Sequence, residues 1–216
     1  MAKLRVTYNA PVVLTFALLA VIVQLLPDAI KNDWFVAQPH FEASVQGVLR
    51  FFTHILGHAS WQHLLGNFML ILLIGPILEE RHGSLPLLFM ILVTAFVTAL
   101  AYMVFSSGGL LGASGVVFMM ILLASTANIR AGEIPLTFIA IAVLYLGAEL
   151  MQAFKNDGVA HFAHLIGGAA GAAFGFFGAG GKKAAKIDAK LAANAGAPAG
   201  TLAGKPIPAL EKVVGK

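Results

Sequence analysis

Four side chains in this sequence could act together on a carbonyl group: Ser114, His164, His63 and Asn67. A serine hydroxyl is a weak nucleophile until a base takes its proton, and histidine suits that role near neutral pH. Ser114 stands in Gly112-Ala113-Ser114-Gly115, where glycines permit a tight turn and close approach of a substrate backbone. The motif opens an apolar stretch, so Ser114 is expected at a helix start, where backbone N–H groups are free and the dipole favours an oxyanion. His63 and Asn67 are spaced to share one helix face. Both can donate hydrogen bonds to charge developing on a carbonyl oxygen. Each signal alone has a plainer reading. Gly-x-Ser-Gly in an apolar helix is a common packing motif, a lone histidine can bond a backbone carbonyl, and an asparagine can tie helices together. The choice depends on where the surrounding elements place these residues.

Those elements are set by a composition that is 59% hydrophobic and 11% charged, with a mean hydropathy of +0.86. A soluble domain carries roughly 25% charged residues, so most of this chain is expected to face lipid or protein. Cysteine is absent, which excludes a disulfide framework and a Cys-based metal site. The net charge of +4 does not point to nucleic acid, because the lysines form no cluster within a folded module. Six apolar stretches can be marked: Pro11–Leu26, Leu64–Leu78, Leu85–Phe105, Gly112–Ala127, Ile134–Met151 and Val159–Phe177. No small-x-small site follows the first before Pro27-Asp28, so it is expected to be retained as a helix. The expected fold is an all-α membrane domain of six transmembrane helices over residues 1–178. A basic, disordered cytoplasmic tail is expected over 179–216.

Lys and Arg set the orientation. With the N-terminus inside, Lys3, Arg5, Arg81, Arg130 and the seven tail lysines are cytosolic, against only Lys31, Arg50 and Lys155 outside. An N-in, C-in arrangement follows, with a long external first loop over about residues 27–63. Trp34, Phe35, Phe41, Phe51 and Phe52 place parts of that loop in the interfacial layer.

In this topology the second, fourth and sixth helices run inward from the outer face, and these three carry the unusual polar groups. A rise of ~1.5 Å per residue puts Asn67 ~18 Å, His63 ~24 Å, and Ser114 and His164 both ~21 Å above the inner boundary. In a ~30 Å core all four lie in one layer, about 6–12 Å below the outer surface. The fourth stretch spans only ~24 Å, so Ser106–Leu111 must dip into the membrane beside protein or water. A water-accessible cavity opening outward is the expectation. Gly167, Gly171 and Gly175 form a strip on the sixth helix against which the fourth can pack, with Gly115 at the crossing.

Other polar residues have blander roles. His54 and His58 have the spacing of helical zinc ligands, but no third ligand set follows, so a structural or water-holding role is favoured. His161 is assigned to loop packing, Glu149 to interfacial solvation, and Glu79 with Arg81 to pairing or capping at the cytosolic boundary. The tail lysines suit anionic headgroups.

Over about residues 10–178 the chain resembles the rhomboid family of intramembrane serine proteases. The resemblance is carried by His54-x3-His58-x4-His63-x3-Asn67, Glu79-x-Arg81-x-Gly83, Gly112-Ala113-Ser114-Gly115 and Ala163-His164-x2-Gly167-x3-Gly171. It implies Ser114 as nucleophile and His164 as general base without a third acidic member. It implies an oxyanion hole of the Ser114 and Ala113 amides with the His63 and Asn67 side chains, shaped by Gly112. Single-span membrane proteins, cut near a helix end at small residues, are the implied substrates, with no metal or organic cofactor. Two positions depart from the family pattern: Leu49-Arg50 replaces a frequent Trp-Arg, and Phe118 stands where some members have a tyrosine on the catalytic histidine.

The expected function is therefore intramembrane serine endopeptidase activity, in a multi-pass protein of a bacterial inner membrane. Its partners are the lipid bilayer and transmembrane substrates, not nucleic acid. A non-catalytic rhomboid-like protein that binds transmembrane helices is the alternative, disfavoured because both Ser114 and His164 are present. A small transporter is a third reading, disfavoured because no inverted repeat is evident.

Overall fold

The computed structural model describes residues 7–105, 108–126, 136–147, 161–177, 201–202 and 205–206. The described chain is mostly helical. Its elements in order are α1 (Pro11–Gln24), α2 (Asp28–Trp34), α3 (Val45–Thr53), α4 (Trp61–His82), α5 (Ser84–Phe105), α6 (Ser114–Ser125), α7 (Leu136–Ile141), a π-helical turn at Ala142–Leu146, and α8 (His161–Phe177). Each of the six apolar stretches overlaps one of these helices, and α2 and α3 lie between the first and the second of them.

α4 and α5 have 22 residues each and are long and apolar enough to cross a membrane; at ~1.5 Å per residue each spans about 33 Å. α4 begins three residues before the apolar run, because Ser60 Oγ accepts the His63 N–H at 3.1 Å and so caps the helix ahead of Trp61-Gln62-His63. Hydropathy misses that polar first turn. At the other end α4 stops at Gly83, whose φ of 95° lies in the left-handed region that favours glycine.

α1 begins with Pro11, which needs no amide partner there, while its Val12 and Val13 N–H groups are taken by α4. Glu79 Oε1 accepts the Val12 N–H and Oε2 the Val13 N–H, both at 3.0 Å. The carboxylate thus caps a neighbouring helix where the dipole is positive. Capping is one of the two roles expected for Glu79, beside pairing with Arg81.

α6 is buried along Gly115–Leu123, so protein surrounds it on every side. A helix apolar all round belongs in such a position. Its most extensive contact among the described residues is with α8. A Cβ added to Gly167 would collide with the backbone of Gly115, and one on Gly171 with the backbone of Met119. At Gly175 it would strike the Thr126 side chain. The glycine strip on α8 therefore receives α6 with Gly115 at the crossing.

The first loop is tied down rather than loose. Arg50 Nη1 bonds Glu42 at 2.8 Å and Arg50 Nε donates to the Asp33 carbonyl at 2.6 Å. Phe51 and Phe52 from α3 both meet Phe96 of α5. Ala37 and Leu110 exchange both backbone hydrogen bonds at 2.9 Å, joining this loop to the segment before Ser114.

Residues Gly180–Lys216 form a separate unit, of which the described part is an antiparallel pairing of Thr201–Leu202 with Lys205–Pro206. Glu149, Arg130 and Lys155, and the expected chain behaviour elsewhere in the tail, fall outside the described residues.

Candidate active site

Ser114 is the first residue of α6, and Ala113 is the residue that precedes it as the cap. The Ala113 carbonyl accepts the Val117 N–H at 3.0 Å, so the amides of Ser114, Gly115 and Val116 have no acceptor within their own helix. The turn before it depends on Gly112, whose φ of 121° is one that L side chains rarely adopt.

His164 lies in the first turn of α8, and its Nε2 is 2.7 Å from Ser114 Oγ. The two residues are 50 positions apart in sequence and meet because Gly167 lets α8 close on the backbone of Gly115. The His164 imidazole is stacked on Phe118, one turn along α6 from the serine, with ring centroids 4.7 Å apart and planes 5° from parallel. Loss of a tyrosine hydroxyl at position 118 leaves this stacking intact. His161 stands edge-on to His164 at 6.2 Å and is buried.

His63 and Asn67 approach from α4. A methyl group placed on Gly112 would come 2.7 Å from His63 Cε1, 2.8 Å from His63 Nε2 and 3.8 Å from Asn67 Nδ2. Both side chains therefore overlook the turn that leads into Ser114. The Asn67 Nδ2 is buried and has no hydrogen-bond partner among the described residues. Buried polar groups are nearly always satisfied, and leaving one unpaired costs roughly 1–3 kcal/mol.

His54 and His58 have structural contacts, one of the roles expected for them. They do not share a helix, because α3 ends at Thr53. His54 donates from Nε2 to the Ala95 carbonyl at 3.0 Å, and its own carbonyl accepts the Gly112 N–H at 2.9 Å. His58 Nε2 lies 3.4 Å from the Ala113 N–H. The first loop thus holds two consecutive amides just ahead of Ser114. Their His-x3-His spacing was visible in the sequence, but its target lies more than fifty residues away. Among the described residues, no group of three His, Cys, Asp or Glu side chains is arranged to hold a metal ion.

The arrangement brings together a hydroxyl with an imidazole acceptor, a helix-start amide, and two α4 donors around one glycine turn. The family model described as the Rhomboid domain matches residues 45–180. The chain is 33% identical over 140 residues to Rhomboid-related protein 1 of Caenorhabditis elegans, an alignment covering 59% of this chain and 39% of that protein. It is 24% identical over 159 residues to Rhomboid protease GlpG of Haemophilus influenzae, covering 72% and 78% of the two chains. To Rhomboid protease GlpG of Enterobacter sp. it is 31% identical over 145 residues, covering 65% and 52%. The match thus spans well under two thirds of two of these relatives and about three quarters of the other. With a domain match over more than half its length, the chain belongs to the rhomboid family of integral membrane proteins.

Proposed function

We propose that this protein is an intramembrane serine endopeptidase that hydrolyses peptide bonds in or near transmembrane segments of other membrane proteins. The observation that carries the reading is the 2.7 Å contact between His164 Nε2 and Ser114 Oγ at the start of α6. In that contact the hydroxyl donates and Nε2 accepts, which requires the proton of the neutral imidazole on Nδ1. As Ser114 Oγ attacks the scissile carbonyl carbon, its proton passes to His164 Nε2. The resulting imidazolium lies against the face of Phe118, where the ring quadrupole favours a cation.

Electrons from the broken carbonyl π bond collect on its oxygen. The Ser114 amide and the His63 and Asn67 side chains are the donors for it, and Asn67 Nδ2, unpaired in the resting site, gains its partner only then. The Ala113 amide, engaged by His58 at rest, can join them by turning from a long contact to a charged acceptor. Collapse of the intermediate breaks the C–N bond, and His164 returns the proton to the leaving nitrogen. Water then attacks the acyl-serine with His164 again as base, which frees the carboxylate product and restores Ser114.

In the bilayer we assign six spans in an N-in, C-in topology, with an external first loop and a site about 6–12 Å below the outer face. A bacterial inner membrane is the assigned location. Residues 1–178 form the membrane domain and 179–216 a basic cytoplasmic tail. A reporter fused at residue 200 that reads as extracytoplasmic would overturn the orientation.

The deciding experiment compares purified wild-type protein with Ser114→Ala and His164→Ala on a single-span substrate in liposomes. Both substitutions are expected to abolish cleavage, a loss of at least about 10³-fold. Equal cleavage by all three proteins would remove the assignment.

A further inference from the structure

We propose that His58 is a positioning residue that acts through the Ala113 peptide: it fixes the plane of that peptide, and with it the placement of Ser114, by accepting the Ala113 N–H in one required tautomer. The inference rests on the reading of Ser114 as nucleophile and assigns a role in that reaction to a first-loop side chain.

Two hydrogen bonds determine the proton's position on the imidazole. His58 Nδ1 is 3.2 Å from the Leu56 carbonyl oxygen, which can only accept, so Nδ1 carries the hydrogen. His58 Nε2 is 3.4 Å from the Ala113 nitrogen, which can only donate, so Nε2 is bare. A single neutral form, with hydrogen on Nδ1, satisfies both. The opposite tautomer would set a donor against each donor and an acceptor against each acceptor. Protonation would put a hydrogen on Nε2 and repel the Ala113 amide.

The surroundings hold this form. His58 is 1% exposed, with its ring edge-on to His63 at 5.0 Å and to Phe68 at 5.8 Å. Burial, and secondarily the neighbouring His63, push its pKa down to about 4, so it stays neutral through ordinary pH. The ring cannot swing out without opening the packing between the loop and α4.

The peptide it holds needs holding. Gly112 has a left-handed φ of 121°, and Ala113 has no side-chain cap to steady the helix start. The Gly112 N–H is taken by the His54 carbonyl at 2.9 Å, so the turn is gripped at both amides. Without the His58 acceptor, the Ala113 peptide has freedom to rotate, and Ser114 Oγ leaves the line between His164 and a substrate carbonyl. The length of the contact matters too. At 3.4 Å it lies beyond the usual range for a strong N–H···N bond, so it orients the amide without trapping it when an oxyanion forms.

Substitution pairs separate hydrogen bonding from ring packing. His58→Met keeps a long side chain without a strong acceptor, and His58→Gln supplies an oxygen near the position of Nε2. His58→Met should lower kcat about tenfold or more with KM within about twofold, because the loss falls on the transition state. His58→Gln should restore kcat to within about threefold of wild type. A Met variant as fast as wild type, or a Gln variant as slow as Met, overturns the proposal.

The tautomer is read independently on wild-type protein labelled with ¹⁵N-histidine. His58 should show the Nδ1–H form at neutral pH, and an Nε2–H form would sink the proposal even if no variant folds. Ser114→Ala run in the same assay keeps the two readings apart. Undiminished cleavage there removes the protease assignment, while the imidazole nitrogen shifts still decide whether His58 can accept the Ala113 amide.

Discussion

The two ends of α4 each bury a polar side chain, and they treat it in opposite ways. Near the C-terminus, Glu79 is 3% exposed and both carboxylate oxygens are occupied by amides of α1. Near the N-terminus, Asn67 is 7% exposed and its Nδ2 has no partner among the described residues. The helix is the same and the burial is similar. A charge taken out of water persists only when paired, so Glu79 holds α1 against α4 and belongs to the fold. A buried donor left unpaired costs the fold roughly 1–3 kcal/mol, and it is retained usefully where a partner arrives during function. On the proposed function, the difference separates an end of the molecule that holds the fold together from one that serves the reaction.

That contrast can be broken by experiment. Asn67→Ala should lower kcat about 10²-fold, roughly 2.7 kcal/mol on the barrier and less than the loss from Ser114→Ala, because other donors remain. Its unfolding midpoint in detergent should stay close to that of wild type, since no hydrogen bond to Nδ2 is lost. Complete inactivation of a correctly folded Asn67→Ala protein, or a large drop in midpoint, would make Asn67 structural after all.

Glu79→Ala should behave in the reverse sense. Loss of two charge-assisted bonds at a helix start should cost about 2 kcal/mol of stability, read as a lowered unfolding midpoint. The kcat of the folded fraction should change by less than about threefold, because the site lies at the other end of the helix. A Glu79→Ala protein of full stability with impaired kcat would erase the distinction between the ends.

The smallest effect tests whether position on the helix, rather than closeness to Asn67, is what counts. Gly66 adjoins Asn67 in sequence, yet a Cβ there would meet nothing within 4 Å. Gly66→Ala should leave kcat unchanged and raise stability by up to ~1 kcal/mol through helix propensity. A marked loss of activity in Gly66→Ala would show that this outward face of α4 takes part in the reaction.

Much of the frame was readable without coordinates. Runs of apolar residues locate helices because a backbone in lipid must satisfy its own hydrogen bonds, and that constraint is local. Rise arithmetic leads to the expectation of one depth for Ser114, His164, His63 and Asn67, because helical rise is nearly constant. The helix boundaries were less legible. Trp61-Gln62-His63 is polar, and only the Ser60 cap reveals that it is already helix. Glu79 could be read as a capping group, but its target on α1 could not, since 66 and 67 residues separate the partners.

Residue types and spacing by themselves determined the class of chain and its apolar helices, and led to the expectation of a shared membrane layer for four polar side chains. Only the tertiary structure decided that Ser114 and His164 meet at 2.7 Å, that Phe118 stacks on the imidazole, and that His54 and His58 grip the turn ahead of Ser114. The physical reason is that depth along a helix follows from counting residues, whereas lateral approach depends on packing. Here it depends on the glycines of α8 letting one backbone come close enough to another.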